Sequence, residues 1–132
     1  MKISTTRALL SALTAMCLIA VAVAPLAAHH SFAPFNMTVE KTVVGTVKQV
    51  EWTNPHIWIW VDVPNDKGGT DAFGFEGMSP NFLERRGWTR STLKVGDKIT
   101  VTFHPLREGN NGGMFMTGKM ETGKILTGGG AQ

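Results

Sequence analysis

The run from His56 to Val63, with the sequence His-Ile-Trp-Ile-Trp-Val-Asp-Val, constrains the fold of this chain more than any other stretch. β-Branched residues occupy every second position from Ile57, and Trp58 and Trp60 stand between them. Strict alternation of this kind predicts a β-strand. Because both faces of that strand are largely apolar, we expect it in the middle of a sheet that has protein on both sides.

Four further runs predict strands, and one short segment predicts a helix. The additional strands are expected over Val39–Trp52, Asp71–Gly77, Lys98–His104 and Met114–Met120, with Gly123–Leu126 extending or closing the last one. Ser79 as N-cap and Pro80 at the first helical position predict a helix of little more than two turns, which Gly87 ends. A glycine and a slip of alternation inside the first strand predict a bend or bulge.

The order of these elements indicates the fold class. Three strands, a helix and two strands follow each other in an OB-fold, where a five-stranded sheet closes on itself and the helix covers one end. The sequence therefore predicts a mainly β fold, a small five-stranded OB-fold-like barrel with one short helix between strands 3 and 4. An open β-sandwich with a helical insert is the alternative.

Residues 1–28 have the pattern of a secretory signal peptide. Lys2 and Arg7 precede an apolar stretch from Ala8 to Ala24, and small residues up to Ala28 form the expected cleavage site. An uncleaved anchor is the alternative, although the apolar stretch is short for a membrane span. After the signal peptide we expect an extended arm over 29–38, the β-barrel domain over 39–126 and a flexible tail over 127–132.

Export sets the expected thiol chemistry and charge of the mature chain. The only cysteine, Cys17, lies in the leader, so the mature chain has no thiol for a disulfide or a metal. A thiol-free exported chain is typical of a bacterial periplasmic protein, and we expect a periplasmic or secreted location. Loss of Lys2 and Arg7 lowers the net charge from +3 to about +1. We therefore expect no nucleic-acid partner and no membrane span after cleavage, and any protein partner would be extracytoplasmic.

All four histidines lie in the exported part, and they are the candidate metal ligands: His29, His30, His56 and His104. Cleavage after Ala28 leaves His29 first, and a free N-terminal histidine can bind Cu(II) through its amine and its ring Nδ1. An imidazole from the fold would complete a T-shaped set of three nitrogens, which suits copper. A cut after Ala27 gives Ala-His-His instead, which can chelate Cu(II) or Ni(II) in a square plane.

Each candidate ligand also has a purely structural interpretation. The paired histidines are compatible with a solvated terminus of incidental metal affinity. His56 follows a turn at Asn54–Pro55, so a local hydrogen bond across that turn is its favoured role. For His104 an exposed strand end is the default expectation.

Methionine and tryptophan offer further ligand-binding surfaces. Met114, Met116 and Met120 are separated by even steps, which predicts one shared face. Thioethers bind Cu(I), but core packing is the more common role of a strand methionine and is the expectation here. Core packing is also favoured for the four tryptophans, Trp52, Trp58, Trp60 and Trp88. Alternatively, a Trp-rich strand face would make the protein an OB-like binding module without a metal.

No residue pattern in the chain demands catalysis. The sequence has no paired carboxylates at a telling spacing and no Gly-x-Ser-x-Gly motif. The glycine-rich run Gly109–Gly113 lacks the Lys-Ser/Thr of a phosphate loop and precedes a strand. We therefore expect a non-enzymatic protein, with a redox enzyme at the histidine site as a third possibility.

Several short motifs stand in a specific order along the mature chain: His29-His30-Ser31-Phe32-Ala33, Gly45-Thr46-Val47, Trp52-Thr53-Asn54-Pro55-His56, Glu76-Gly77-Met78-Ser79-Pro80, Arg86-Gly87-Trp88, Leu93-Lys94-Val95-Gly96-Asp97 and Gly112-Gly113. Together they resemble one bacterial family of small exported proteins of unknown function, a domain-of-unknown-function (DUF) family. The resemblance covers nearly all of the mature chain. It implies an exported single β-rich domain and assigns no catalytic residue.

Overall fold

Six β-strands and one helix make up the part of the chain that the computed structural model describes, residues 32–128. The strands are β1 (Lys41–Glu51), β2 (Trp58–Pro64), β3 (Thr70–Glu76), β4 (Lys98–Pro105), β5 (Gly112–Met120) and β6 (Ile125–Thr127), and the helix is α1 (Pro80–Glu84). The ends of β1 to β5 lie within two residues of the predicted ones. The predicted signal peptide, His29 and His30 lie outside the described residues.

The first five strands form a closed ring. Antiparallel pairing joins β3 to β2, β2 to β1, β1 to β4 and β4 to β5, and a parallel pairing of β5 with β3 closes the ring. α1 lies between β3 and β4 along the chain. The predicted five-stranded OB-fold-like barrel is therefore confirmed, and the open sandwich is wrong. β6 is an additional strand that pairs with β5. It includes Thr127, which was predicted to belong to the tail.

Two consecutive glycines allow β5 to fit between its neighbours at the point of closure. Gly112 pairs with Gly74 of β3, and a Cβ atom at position 112 would collide with the main-chain oxygen of Gly74. A Cβ atom at Gly113 would collide with the main-chain oxygen of His104 on the other side. Gly112 also has a φ of 128°, which other residues rarely adopt. Closure of the barrel thus depends on glycine, which has no Cβ atom, at these two positions.

The barrel interior contains the apolar face that the alternation predicts. Ile57, Ile59 and Val61 are fully buried, and the rings of Phe75 and Phe103 meet at 4.9 Å between centroids. The cluster is completed by buried residues from the other strands, from the connection between β1 and β2, from α1 and from the connector that follows α1: Val47, Trp52, Leu83, Trp88, Leu93, Ile99, Val101, Phe115 and Leu126. At typical transfer energies each fully buried large apolar side chain contributes about 1.5–3 kcal/mol, so this core is the main source of stability.

α1 begins as predicted but is shorter. Ser79 is the N-cap, its side-chain oxygen accepts from the Phe82 amide at 3.4 Å, and Pro80 opens the helix. The helix ends at Glu84 with Arg85 as C-cap, so the prediction of little more than two turns is wrong. Gly87, with a φ of 84°, turns the chain away directly afterwards. Within residues 32–128 no helix has the length and apolar character needed to cross a membrane.

The predicted irregularity in β1 is also present. The pairing of β1 with β2 shifts register between Val47 and Gln49. This shift follows Gly45, where an added Cβ would lie 2.5 Å from the main-chain oxygen of Asp62. A bulge of this kind increases local twist, which helps a strand to bend around a small barrel.

Candidate metal site

One row of side chains crosses three neighbouring strands on the outer face of the barrel. Met114 of β5 pairs with Glu76 of β3 on one side and with His104 of β4 on the other. Residues that pair across strands point to the same face. Their chain neighbours lie in the core: Phe75, Phe103 and Phe115. Glu76, Met114 and His104 therefore point outward, and we call them the outer row.

The ring of His104 is buried although it points away from the core. Only 6% of the residue is exposed, and Nδ1 lies 2.8 Å from the main-chain oxygen of Val39. A carbonyl oxygen can only accept, so Nδ1 carries the hydrogen, and Nε2 carries a lone pair when the ring is neutral. Within residues 32–128 the His104 ring makes no other hydrogen bond. The expectation of an exposed strand end was wrong, because the segment before β1 comes back against the ring.

That segment is attached to the end of β4. Phe35 forms an isolated antiparallel bridge with Leu106 and is almost fully buried. The Asn36 amide donates to the main-chain oxygen of Pro105 at 2.8 Å. The chain therefore enters the barrel domain beside the strand end that carries His104.

His56 lies at the Glu76 end of the outer row, and His104 is at the other end. Its Nδ1 contacts Oε1 of Glu76, and both side chains keep a small exposed surface, 22% and 24%. Glu76, the partner of Nδ1, belongs to β3. An oxygen acceptor on Nδ1 is common in metal-ligating histidines, since it fixes the tautomer and the orientation of the ring. Both histidines of the described chain have this arrangement.

The outer row contains one of the four candidate ligands, His104, and a second one, His56, contacts the row through Glu76. These residues do not by themselves complete a metal site. Among residues 32–128 no three His, Cys, Asp or Glu side chains are grouped closely enough to hold an ion. Glu76 and His104 are two strands apart, which corresponds to about 10 Å between their Cα atoms. A metal ion beside His104 therefore needs a ligand of another kind, such as the Met114 thioether, or a ligand from the residues before Phe32.

The methionines of β5 do not share a face, contrary to the prediction. One extra residue in β5 shifts its register against β4. Met114 consequently pairs with outward-facing His104, whereas Met120 pairs with Ile99 of the core. Met114 and Met116 are buried but lie outside the main core cluster, and Met120 packs against that cluster. All three methionines thus pack against other residues of the domain, but Met120 packs against the main core cluster and Met114 does not.

Two of the four tryptophans lie on the outer face. Trp58 and Trp60 stack with their ring centroids 5.8 Å apart and an angle of 19° between the ring planes, and both are half-buried. Trp60 covers Gly74, where an added Cβ would come within 2.7 Å of the indole ring. Trp58 pairs with Glu76, so the stack adjoins the outer row. The other two are buried in the core as expected: Trp52 and Trp88.

Comparison with known proteins gives a family but no activity. The model of DUF6152, a family of unknown function, matches residues 15–116. The chain belongs to the DUF6152 family. Searches of curated proteins and of solved structures found no match. The predicted resemblance to a family of unknown function is therefore confirmed.

All four candidate histidines and the whole outer row fall inside the range that the DUF6152 model matches. Sequence reasoning did not select Glu76 as a partner of His56, nor Met114 as a neighbour of His104. The odd spacing of Glu76 from Phe75 and Phe73 marks it as outward-facing, but alternation carries no signal for which strand lies beside it. The pairing of β3 with β5 supplies that information.

Proposed function

We propose that the mature chain is an exported, non-enzymatic domain that binds copper on the outer face of the barrel. The ligands of Cu(II) are the amine and ring of His29 at the processed terminus, together with an imidazole of the barrel, His104 or His56. The domain acts as a copper carrier or accessory factor.

The attachment of the entering segment at the end of β4 is the observation that carries this proposal. Phe35 is held at Leu106, close in the chain to His104. The few residues between His29 and Phe35 span at most about 20 Å when fully extended, at roughly 3.3–3.6 Å each. A terminus that starts at His29 is therefore only a few residues along the chain from the segment that is held at the end of β4.

The state of the His104 ring also supports a metal-binding role. Its Nδ1–H is engaged by Val39, which leaves Nε2 as the nitrogen for coordination. A main-chain carbonyl in this position is a common outer-shell partner of a metal-ligating histidine. Two imidazoles and an amine form a nitrogen-rich set, and Cu(II) stands highest among the divalent ions in affinity for such sets.

The decisive experiment compares proteins that differ only at the N-terminal residue. Mature protein that begins at His29 is expected to bind one Cu(II) with a nitrogen-rich electron paramagnetic resonance spectrum. A form with one extra N-terminal methionine should bind at least about tenfold more weakly, because the terminal chelate is lost. Proteolytic removal of an N-terminal extension, which regenerates His29, should restore the affinity. Equal affinities for the extended and processed forms would exclude the amine as a ligand.

Mass measurement of protein recovered from its native compartment tests the premise of that experiment. A first residue at His29 supports the three-nitrogen site, and a first residue at Ala28 converts the terminus into the square-planar Ala-His-His chelate. A mass that includes residues 1–28 would contradict both export processing and the terminal site.

A second candidate function is favoured by the stack of Trp58 and Trp60. In this case the chain is an OB-like module that binds an extracytoplasmic protein or other ligand by its aromatic face, without a metal. Trp60→Ala is then expected to keep the circular dichroism spectrum and to abolish capture of the ligand from an extracytoplasmic extract. Unfolding of Trp60→Ala would instead identify the ring as a structural element.

A further inference from the structure

We infer that His104 and Met114 form a binding site for a soft monovalent metal ion, Cu(I), that does not require the N-terminal amine. This inference deepens the proposed copper function, since it specifies the oxidation state that the barrel itself holds. It rests only on residues of β4 and β5 and on the segment that holds the His104 ring.

The two side chains are neighbours by strand pairing. His104 and Met114 are directly opposite each other in the antiparallel ladder, which puts their Cβ atoms about 4.5–5.5 Å apart on the same face. Both residues are only 6% exposed. The His104 ring is oriented by its Nδ1 hydrogen bond to Val39 at 2.8 Å. The two side chains therefore start from neighbouring positions on one face of the sheet, and both are sheltered from solvent.

The thioether of Met114 is buried but lies outside the main core cluster, in contrast to Met120 on the same strand, which packs against it. Met116 is likewise buried outside that cluster, and its main-chain oxygen accepts from the Gly128 amide at 2.6 Å. β5 thus provides a second thioether two residues from Met114 as a candidate third ligand.

The chemistry of the pair selects the kind of ion. Imidazole and thioether are neutral and comparatively soft ligands, and thioethers select Cu(I), whereas Mg²⁺, Ca²⁺ and Mn²⁺ prefer oxygen. The nearest carboxylate in the row, Glu76, contacts His56. A buried site without an anionic ligand favours a single positive charge, because burial of a charge that is not compensated is costly. A soft ion with a single positive charge matches the ligands and limits the buried charge.

The test uses the complete mature chain with one extra N-terminal methionine, so that the terminal chelate is absent. Cu(I) affinity is measured anaerobically by competition with bicinchoninate, and Ag(I) serves as a redox-inert probe in methionine-methyl nuclear magnetic resonance. One equivalent of Ag(I) is expected to shift the Met114 methyl signal and to leave the Met120 signal in place. Met114→Leu should lower Cu(I) affinity about tenfold or more, and the matched control Met120→Leu should change it less than about twofold.

His104→Asn supplies an independent variant. The asparagine amide can replace Nδ1–H as donor to Val39 but has no counterpart of Nε2. Cu(I) affinity should therefore fall as in Met114→Leu, while the circular dichroism spectrum and melting temperature stay close to those of the parent. Leucine closely matches methionine in volume, so Met114→Leu reports on the ligand even if His104→Asn is unstable.

The outcomes separate this inference from the proposed Cu(II) site. Equal Cu(I) affinities for Met114→Leu and Met120→Leu, or an Ag(I) shift confined to the remaining methionines, would overturn the Cu(I) site whatever the result for Cu(II). Conversely, if the extra methionine leaves Cu(II) affinity unchanged, the terminal ligand is excluded, and loss of Cu(I) binding in Met114→Leu still supports the site described here.

Discussion

The ring of His104 donates a hydrogen bond from Nδ1 to the main-chain oxygen of Val39, 2.8 Å away. This bond connects the end of β4 with the residues just before β1 and orients the one buried histidine of the described chain. The same contact gives the ring a structural role and determines which nitrogen is left for coordination. The structural role and the proposed metal binding at position 104 can therefore be separated by substitution.

His104→Ala should lower the free energy of unfolding by about 1–3 kcal/mol, because the buried ring and its hydrogen bond to the Val39 oxygen are lost. His104→Asn should recover a substantial part of this loss, since its amide can donate to the same oxygen. Urea denaturation of both variants measures the difference. An equal loss in the two would show that volume, and not the hydrogen bond, stabilises this position.

Gly112→Ala should be severely destabilising, by about 3 kcal/mol or more, because the new Cβ collides with the main chain of β3 at the point of closure. Gly109→Ala is the matched control. It also has a positive φ, 80°, but no atom lies within 4 Å of the added Cβ, so only the backbone strain of about 1–2 kcal/mol is expected. Chemical denaturation should rank the two in this order, and similar losses would argue against the closure role of Gly112.

The sequence predicted the inward-facing residues of this fold, but not the surroundings of the outward-facing ones. Alternation identified the inward positions of β2, and Ser79–Pro80 identified the start of α1, because these signals are local. The interior of a barrel is covered by its own strands, so the inward residues could be assigned without knowledge of any distant contact. The order of elements then sufficed for the OB-like topology.

The outer face could not be predicted in the same way. The burial of His104 depends on Val39, 65 residues earlier in the chain, and alternation does not reveal what covers an outward-facing residue. The extra residue in β5 places Met114 and Met120 on different faces of the strand. No sequence signal as clear as Gly45 in β1 marks this extra residue. The candidate site is therefore composed largely of features that appear only in three dimensions.

Glu76→Gln distinguishes the two barrel histidines as ligands of Cu(II). If His56 coordinates the ion, loss of the carboxylate that contacts its Nδ1 should weaken Cu(II) binding about 10–100-fold. If His104 coordinates instead, the change should be less than about twofold. Asp62→Asn is the control, since it removes a carboxylate from an exposed pair, Lys48–Asp62 at 3.5 Å, that lies away from the outer row. Isothermal titration of the processed protein measures all three affinities.

Phe35→Ala tests whether the entering segment is held by the bridge at Leu106. Phe35 is buried at 5% exposure, and truncation of a buried phenylalanine typically costs about 3–5 kcal/mol, with the lower end expected at the periphery of a barrel. Phe32→Ala is the matched control, because Phe32 is 50% exposed and should change stability by less than about 0.5 kcal/mol.

Phe35→Ala should also release the segment that precedes β1 before the barrel unfolds. Hydrogen exchange should accelerate at the Asn36 amide, which donates to Pro105, and at the Arg107 amide, which donates to Pro34, while the Ile59 amide in the core of β2 stays protected. If the proposed Cu(II) site forms, Cu(II) affinity of the processed protein should fall in parallel, because the segment that follows the terminus is no longer held at the end of β4. Uniform acceleration at all three amides would mean that Phe35 stabilises the whole barrel, and unchanged Cu(II) affinity would separate metal binding from the attachment of this segment.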